Sequence, residues 1–189
     1  SDRASWEKWF PADFITECFP GQFRNWFYSL LAMSTALTDR PPFKTLLGFA
    51  LVRDEQGREM HKSMGNAIEF NAAAEKMGAD VMRWIYAAQS PVTNLNFGFG
   101  LGKEVQAKLL RLWNTYSFFV TYAKVDRVDP LKDQVPHGRR SLFDRWILSN
   151  LEILVEKAHD AYGRFWVTDL VRQAEGFIDD LSNWYLRRG

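Results

Sequence analysis

Apolar and polar positions follow two regimes along this chain, and the change falls near residues 98–102. In the first regime, short apolar runs alternate with helical stretches. Residues 10–17 read as a short strand and residues 22–38 as an apolar helix, which Asp39-Arg40-Pro41-Pro42 must end because two prolines cannot continue it. Residues 43–53 are near-continuously apolar, as a parallel strand covered on both faces would be. Strand, helix, strand is one crossover of an open α/β sheet, and such sheets place ligands beyond the carboxyl ends of their strands. Asn66 or Asn71 is placed to cap a short helix ending at Met77. Gly78 is placed to close that helix in a left-handed conformation, and Asp80 to open another that runs to Ala88. Residues 90–102 are rich in Gly, Asn and Pro, which marks a domain boundary near 98–102.

Beyond that boundary the period is helical. Leu109, Leu112, Trp113, Tyr116 and Val120 share one face. So do Phe143, Ile147, Leu151, Leu154 and Ala158, and then Val167, Val171, Ala174, Ile178, Leu181 and Tyr185. Three long helices joined by a Pro- and Gly-containing loop at 126–140 predict a helical bundle, so the fold class is mainly α with an α/β portion.

Composition narrows this little but excludes much. A chain of 189 residues with 47% hydrophobic content can bury a sizeable core, and the length fits one or two domains. A net charge of +1 does not announce a nucleic-acid binder, so any affinity for RNA must come from local patches. Cys18 is alone, which excludes an internal disulfide and fits a reducing, cytoplasmic setting. His137 and His159 lack metal-ligand spacing, and no protein-bound metal is expected. No uncharged apolar run approaches the roughly 18 residues of a membrane span, so no membrane partner is expected. The chain starts at Ser1-Asp2-Arg3 without an initiator Met or a signal-peptide pattern, ends on an amphipathic helix at Arg187-Arg188-Gly189, and reads as an internal fragment.

The candidate chemistry lies in Gly57-Arg58-Glu59-Met60-His61-Lys62-Ser63-Met64-Gly65-Asn66. Taken alone, Asp54-Glu55-Gln56-Gly57 is a hairpin turn and the Lys and Ser after it are solvated. The same residues also suit a polyphosphate. Lys62 offers a compact ammonium, and Ser63, Gly65 and the nearby amides can form a polar concavity for phosphate oxygens.

Met60, Lys62, Ser63, Gly65 and Asn66 resemble the Lys-Met-Ser-Lys-Ser-x-Gly-Asn loop with which class I aminoacyl-tRNA synthetases grip ATP. Glu59 and His61 depart from it, standing where the first lysine and the first serine would be. Three further blocks follow the family's order and are similar to isoleucyl-tRNA synthetases in particular: Trp9-Phe10-Pro11-Ala12-Asp13-Phe14-Ile15-Thr16-Glu17 leading into Gly21-Gln22-Phe23-Arg24-Asn25-Trp26, then Gly78-Ala79-Asp80-Val81-Met82-Arg83-Trp84, and finally Asp180-Leu181-Ser182-Asn183-Trp184-Tyr185-Leu186-Arg187-Arg188. The family's other nucleotide signature, His-x-Gly-His, occurs nowhere in the chain.

The resemblance implies the C-terminal remnant of a Rossmann-type catalytic domain over residues 1–66, a stem-contacting connector over 67–98, and the start of a helical-bundle anticodon-binding domain over 99–189. It implies isoleucine activation with ATP and Mg2+ as substrate complex, followed by transfer to tRNA(Ile). This chain alone would then be inactive. Met60, His61, Lys62 and Ser63 are the implied ATP contacts, with Lys62 the catalytic cation. His61 either meets phosphate or fills the serine's place, and Glu59 either points away or pairs with Arg58 or Lys62. Glu17 and Gln22 match positions that hold the aminoacyl-adenylate. Gly21 stands where an Asp often precedes that Gln, and the 18–21 segment is one residue longer than in many relatives. Trp26 would be core on periodicity alone, and a wall of the amino-acid pocket on the resemblance. Arg187 and Arg188 either complement a helix terminus or touch tRNA phosphates. Two other readings stay open: a non-catalytic RNA-binding module derived from such an enzyme, and a valyl or leucyl relative.

Overall fold

A computed structural model describes residues 2–188, so Ser1 and Gly189, the residues at the two expected cut ends, lie outside the described residues. The chain forms two compact units. The first comprises the residues up to Ala67 with Ser90–Phe97, and the second comprises Ile68–Gln89 with the chain from Gly98 onward. Residues 68–89 thus group with the helices that follow, while the next eight return to the first unit.

The first unit opens on α1 (Arg3–Trp9), which periodicity does not reveal because it is short and exposed. Its signal is Asp2, whose carboxylate accepts from the N–H groups of Ala4 and Ser5 as an N-cap. Strand β1 (Ala12–Cys18) pairs in parallel with β2 (Phe43–Phe49), so that Glu17 lies opposite Gly48. The crossover between them is the expected helix, but it begins earlier and is not continuous. It comprises α2 (Phe19–Gln22), a π-helical turn (Phe23–Phe27) and α3 (Tyr28–Thr38). The break sits at Asn25, whose backbone leaves the helical region (φ −106°, ψ −109°). Phe19, Phe23 and Phe27 cluster across it with centroids 5.3–5.7 Å apart, and Phe27 is buried against Phe43. The helix ends at Thr38, as Pro41 and Pro42 require, with Asp39 in a left-handed conformation (φ 52°).

The second strand does not run unbroken from 43 to 53. After Phe49 the backbone donors turn to a different neighbour: Ala50 N–H bonds to the Pro91 carbonyl and Leu51 N–H to the Asn94 side chain. The chain resumes as β3 (Val52–Arg53), parallel to β4 (Leu95–Asn96). An apolar run cannot disclose such a change of partner, because both halves look equally buried in sequence.

The second unit contains α4 (Phe70–Met77), α5 (Ala79–Ala87), α6 (Phe99–Val125), α7 (Leu142–Gly163) and α8 (Thr168–Asp179), the last continuing through a π-helical turn (Asp180–Tyr185) into α9 (Leu186–Arg188). Neither Asn66 nor Asn71 caps α4. Glu69 does, its carboxylate accepting from Ala72 N–H, while Asn71 donates to Glu69. Gly78 takes a positive φ of 89° but an extended ψ of 147°, so it turns the chain without forming a left-handed helical cap.

Met77, Val81, Met82, Ile85, Val105, Ile147, Ala161, Val171 and Ile178 are the buried centre of this unit. Glu175 on α8 accepts from both Trp84 Nε1 (2.9 Å) and Lys108 Nζ (2.8 Å), tying α5 and α6 to α8. Ser141 and Asp144 form a reciprocal capping box at the start of α7, and the Asp144 carboxylate also accepts from the Tyr185 hydroxyl at 2.7 Å. One expectation fails here. Leu112, Trp113 and Tyr116 are exposed, because α6 packs on α4, α5 and α8 through the side carrying Gly102 and Val105. Trp184 is also exposed and carries the Arg188 guanidinium over its ring at 5.0 Å.

Candidate functional site

The segment leaving β3 is a tight hairpin followed by a shaped loop. Asp54 N–H bonds to the Arg58 carbonyl, Gly57 N–H bonds back to the Asp54 carbonyl, and Arg53 bridges Glu59 in antiparallel fashion. Gly57 (φ 76°) supplies the left-handed residue this turn needs. The hairpin reading of 54–57 is therefore correct, and it coexists with an ordered loop beyond it. His61 is extended, Lys62–Met64 form a 3-10 turn, and Gly65 (φ 69°) closes it with an N–H to the Lys62 carbonyl at 3.2 Å.

Two side chains, Asp54 and Asn66, shape this loop from its two ends. Asp54 is 5% exposed. Its carboxylate accepts from Gln56 N–H (3.0 Å), Arg58 N–H (2.8 Å), Arg58 Nε (2.9 Å) and Asn66 Nδ2 (3.0 Å). The Asn66 amide, then the Arg58 backbone and guanidinium, outweigh desolvation and hold the Asp54 carboxyl down at about 2. Asn66 Nδ2 also donates to the Glu59 carbonyl (2.9 Å), while Asn66 Oδ1 accepts from His61 N–H (3.0 Å). The available sequence signal was an Asp at the head of a turn containing Gly, the Asx-turn pattern.

The charges sort themselves within the loop. Glu59 pairs with neither Arg58 nor Lys62: its carboxylate lies 3.4 Å from His61 Nε2 and 4.0 Å from Arg53 Nη2. Arg58 is committed to Asp54 instead. The antiparallel bridge sets these partners, since it puts Arg53 opposite Glu59. Lys62 is exposed, and among the described residues its ammonium has no ion pair. Ser63 is exposed beside it, and Met60 is half-buried.

The other expected site residues also lie in the first unit. Glu17 stands near the carboxyl end of β1, 9% exposed, with Oε1 accepting from Cys18 N–H at 2.7 Å. Gln22 is the exposed last residue of α2. Trp26 is 47% exposed, so the core reading from periodicity fails. The π-helical turn shifts the helical register across Asn25, and a 3.6-residue period cannot be carried through it. Among the described residues no hydrogen bond or ion pair joins Glu17, Gln22 or Trp26 to residues 60–63. In the second unit, Arg187 and Arg188 are exposed at the chain's far end.

The chain is similar to known proteins in both sequence and fold. A sequence profile of tRNA synthetases class I (I, L, M and V) matches residues 1–98. The chain is 41% identical to the isoleucine–tRNA ligase of Clostridium novyi, over 99% of this chain and 18% of that protein. It is 40% identical to the isoleucine–tRNA ligase of Thermus thermophilus, over 95% of this chain and 17% of that protein. The chain thus spans under a fifth of the length of the relatives it matches. Among solved structures, the fold is similar to a ternary complex of Agrobacterium radiobacter K84 agnB2 LeuRS with tRNA and LeuAMS (TM-score 0.75, 19% identity, 95% of this chain, 23% of that one). It is also similar to Mycobacterium tuberculosis methionyl-tRNA synthetase in complex with methionyl-adenylate (TM-score 0.74, 18% identity, 100% of this chain, 38% of that one).

Proposed function

This chain belongs to the class I tRNA synthetases of the I, L, M and V group, and we propose that it is part of an isoleucine–tRNA ligase. In that reading, residues 1–66 end a Rossmann-type catalytic domain, residues 67–98 connect, and residues 99–189 begin a helical anticodon-binding domain. The parent enzyme uses ATP as its magnesium complex, isoleucine and tRNA(Ile). The isoleucine carboxylate attacks the α-phosphorus of ATP, forming the aminoacyl-adenylate as the bond to pyrophosphate breaks. A tRNA ribose hydroxyl then attacks the adenylate's carbonyl, and AMP departs.

The observation that carries this reading is the loop of residues 60–66, which is tightly shaped and yet leaves the Lys62 ammonium exposed and, among the described residues, without an ion pair. Charge grows on the phosphoryl oxygens and on the leaving pyrophosphate, and a free cation at that point lowers the barrier. Met60, His61 and Ser63 are the neighbouring ATP contacts in this assignment, and Glu17, Gln22 and Trp26 hold the adenylate. Relatives named isoleucine–tRNA ligase, at about 40% identity along nearly the whole chain, support the amino acid. The test is ATP–pyrophosphate exchange by the full-length protein with isoleucine, valine and leucine in turn. Isoleucine should give by far the highest kcat/KM, whereas a preference for valine or leucine moves the chain to a sister enzyme. One observation favours a second reading, a non-catalytic RNA-binding descendant. Where the family has a first lysine, this loop has Glu59, its carboxylate beside Arg53 and His61. Exchange with none of the three amino acids would favour it.

A further inference from the structure

The segment between Glu17 and Gln22 is where this chain leaves the family's usual pattern, with one residue more over 18–21 and Gly21 in place of an Asp. One aromatic ring ties it down. A Cβ on Gly48 would lie 2.6 Å from Phe19 Cε2, 2.7 Å from Cδ2 and 3.2 Å from Cζ, so the Phe19 ring fills the space that a side chain at 48 would need. Glu17 is the registered partner of Gly48 in the parallel pair, and paired positions project to the same face of a sheet. The ring therefore lies on the face to which Glu17 projects. It also meets Phe23 edge-on at 5.6 Å and Phe27 at 5.3 Å, and Phe27 is buried against Phe43. Phe19 and Phe23, four positions apart, bracket the exposed Gln22.

We propose that Phe19 and Gly48 are a positioning pair for the adenylate site: the ring, seated on bare β2 backbone, fixes the course of residues 18–22 and with it the placing of the Glu17 carboxylate relative to the Gln22 amide. The proposal rests on the assignment of Glu17 and Gln22 to the adenylate. A longer segment has more backbone freedom to lose when a ligand must be gripped from both of its ends, and the seated ring removes that freedom in advance. Glycine at 48 is what makes the seat. A methyl group there drives the ring off the strand, and removing the ring frees the segment, so the two changes damage the same alignment.

The test is a double-mutant cycle in the full-length enzyme with F19A, G48A and F19A/G48A, following isoleucine-dependent ATP–pyrophosphate exchange and the affinity for isoleucyl sulfamoyl-adenosine, a non-hydrolysable adenylate analogue. F19A and G48A should each lower kcat/KM about 10- to 100-fold, with a parallel rise in the Kd of the analogue. In the F19A background, G48A should cost less than about twofold, because the ring it displaces is gone. A control separates positioning from stability. F43L alters the same aromatic cluster at the opposite end of β2, and it should lower the unfolding midpoint while keeping kcat/KM within about twofold of wild type. The milder F19L carries the same comparisons should F19A fail to fold. Exchange and analogue affinity unchanged in F19A, additive losses in the double variant, or a loss of exchange in F43L as large as in F19A overturns the positioning pair and leaves the ligase reading intact. No isoleucine-dependent exchange by the wild type overturns that reading, and the role of the pair with it.

Discussion

Lys62 and Glu59 sit three residues apart with opposite charge, and their surroundings assign them different work. Among the described residues Lys62 has no ion pair, whereas the Glu59 carboxylate lies beside Arg53 and His61. In the full-length enzyme, Lys62→Ala should raise the barrier to adenylate formation by about 2–4 kcal/mol, the size of one lost charge-stabilising donor. The KM for isoleucine should barely move. Glu59→Ala should cost far less, and pyrophosphate exchange in which both variants lose equally would show that the working cation is misassigned. Asp54 sets a pH dependence. Its carboxyl is held at about 2 against an ordinary 3.8, so the folded state favours its charged form. The resulting stabilisation is fully present above about pH 4 and is lost as the pH falls through about 2. Loop amide exchange in wild type should therefore approach that of Asp54→Asn as the pH drops from 5 to 2. A difference that stays constant over that range would mean that the charge on Asp54 does not hold the loop. The turn at residues 54–57 was legible because one short string carries it. The partners of Glu59 were not, since a strand register across a turn decides them and adjacency in sequence does not.

Elements show where period-based reading holds and where it stops. The end of α3 was legible because two prolines permit nothing else, and the long helices because their apolar positions repeat over many turns. The break at Asn25 and the partner change after Phe49 were not, because each depends on a neighbour distant in sequence. Close approach is equally hidden, and two glycines separate its consequences. A Cβ at Gly48 would lie 2.6 Å from the Phe19 ring, a rigid group in the aromatic cluster beside Glu17. Gly48→Ala should destabilise the first unit by about 1–3 kcal/mol. A Cβ at Gly102 would meet the Met77 thioether at 3.0 Å, a flexible group that can yield, and alanine gains about 1 kcal/mol of helix propensity over glycine. Gly102→Ala should thus be close to neutral. Urea unfolding of both variants decides it, and equal losses would mean that contact distance alone, regardless of what is contacted, sets the cost.

At the scale of the whole chain, a net charge of +1 hides how the cations are spent. Lys103, Lys108, Arg111, Arg139, Arg140, Arg145, Arg187 and Arg188 all follow the Gly-rich boundary, and in sequence they look equivalent as phosphate contacts. The structure divides them. Lys108 bonds to Glu175 and Arg111 to Asp179, which joins α6 to α8, whereas Arg187 and Arg188 are exposed at the end of the last helix. The first pair should act on folding and the second on RNA. On its own the 189-residue chain should show no isoleucine-dependent exchange, because the His-x-Gly-His signature that would face the other side of the phosphates is not among its residues. It should still bind tRNA weakly, through phosphates, with little preference for tRNA(Ile) over an unrelated tRNA. Since each phosphate contact contributes about one unit to the slope of log affinity against log salt, replacing both Arg187 and Arg188 with alanine should flatten that slope by about two. Lys108→Ala should instead lower the unfolding midpoint and leave the slope nearly unchanged. Titrations of both tRNAs at several salt concentrations, alongside a thermal melt of the Lys108 variant, measure all of this. Tight, salt-insensitive and selective binding would mean that these residues already carry a base-reading surface, and an unchanged slope in the double variant would take Arg187 and Arg188 off the RNA.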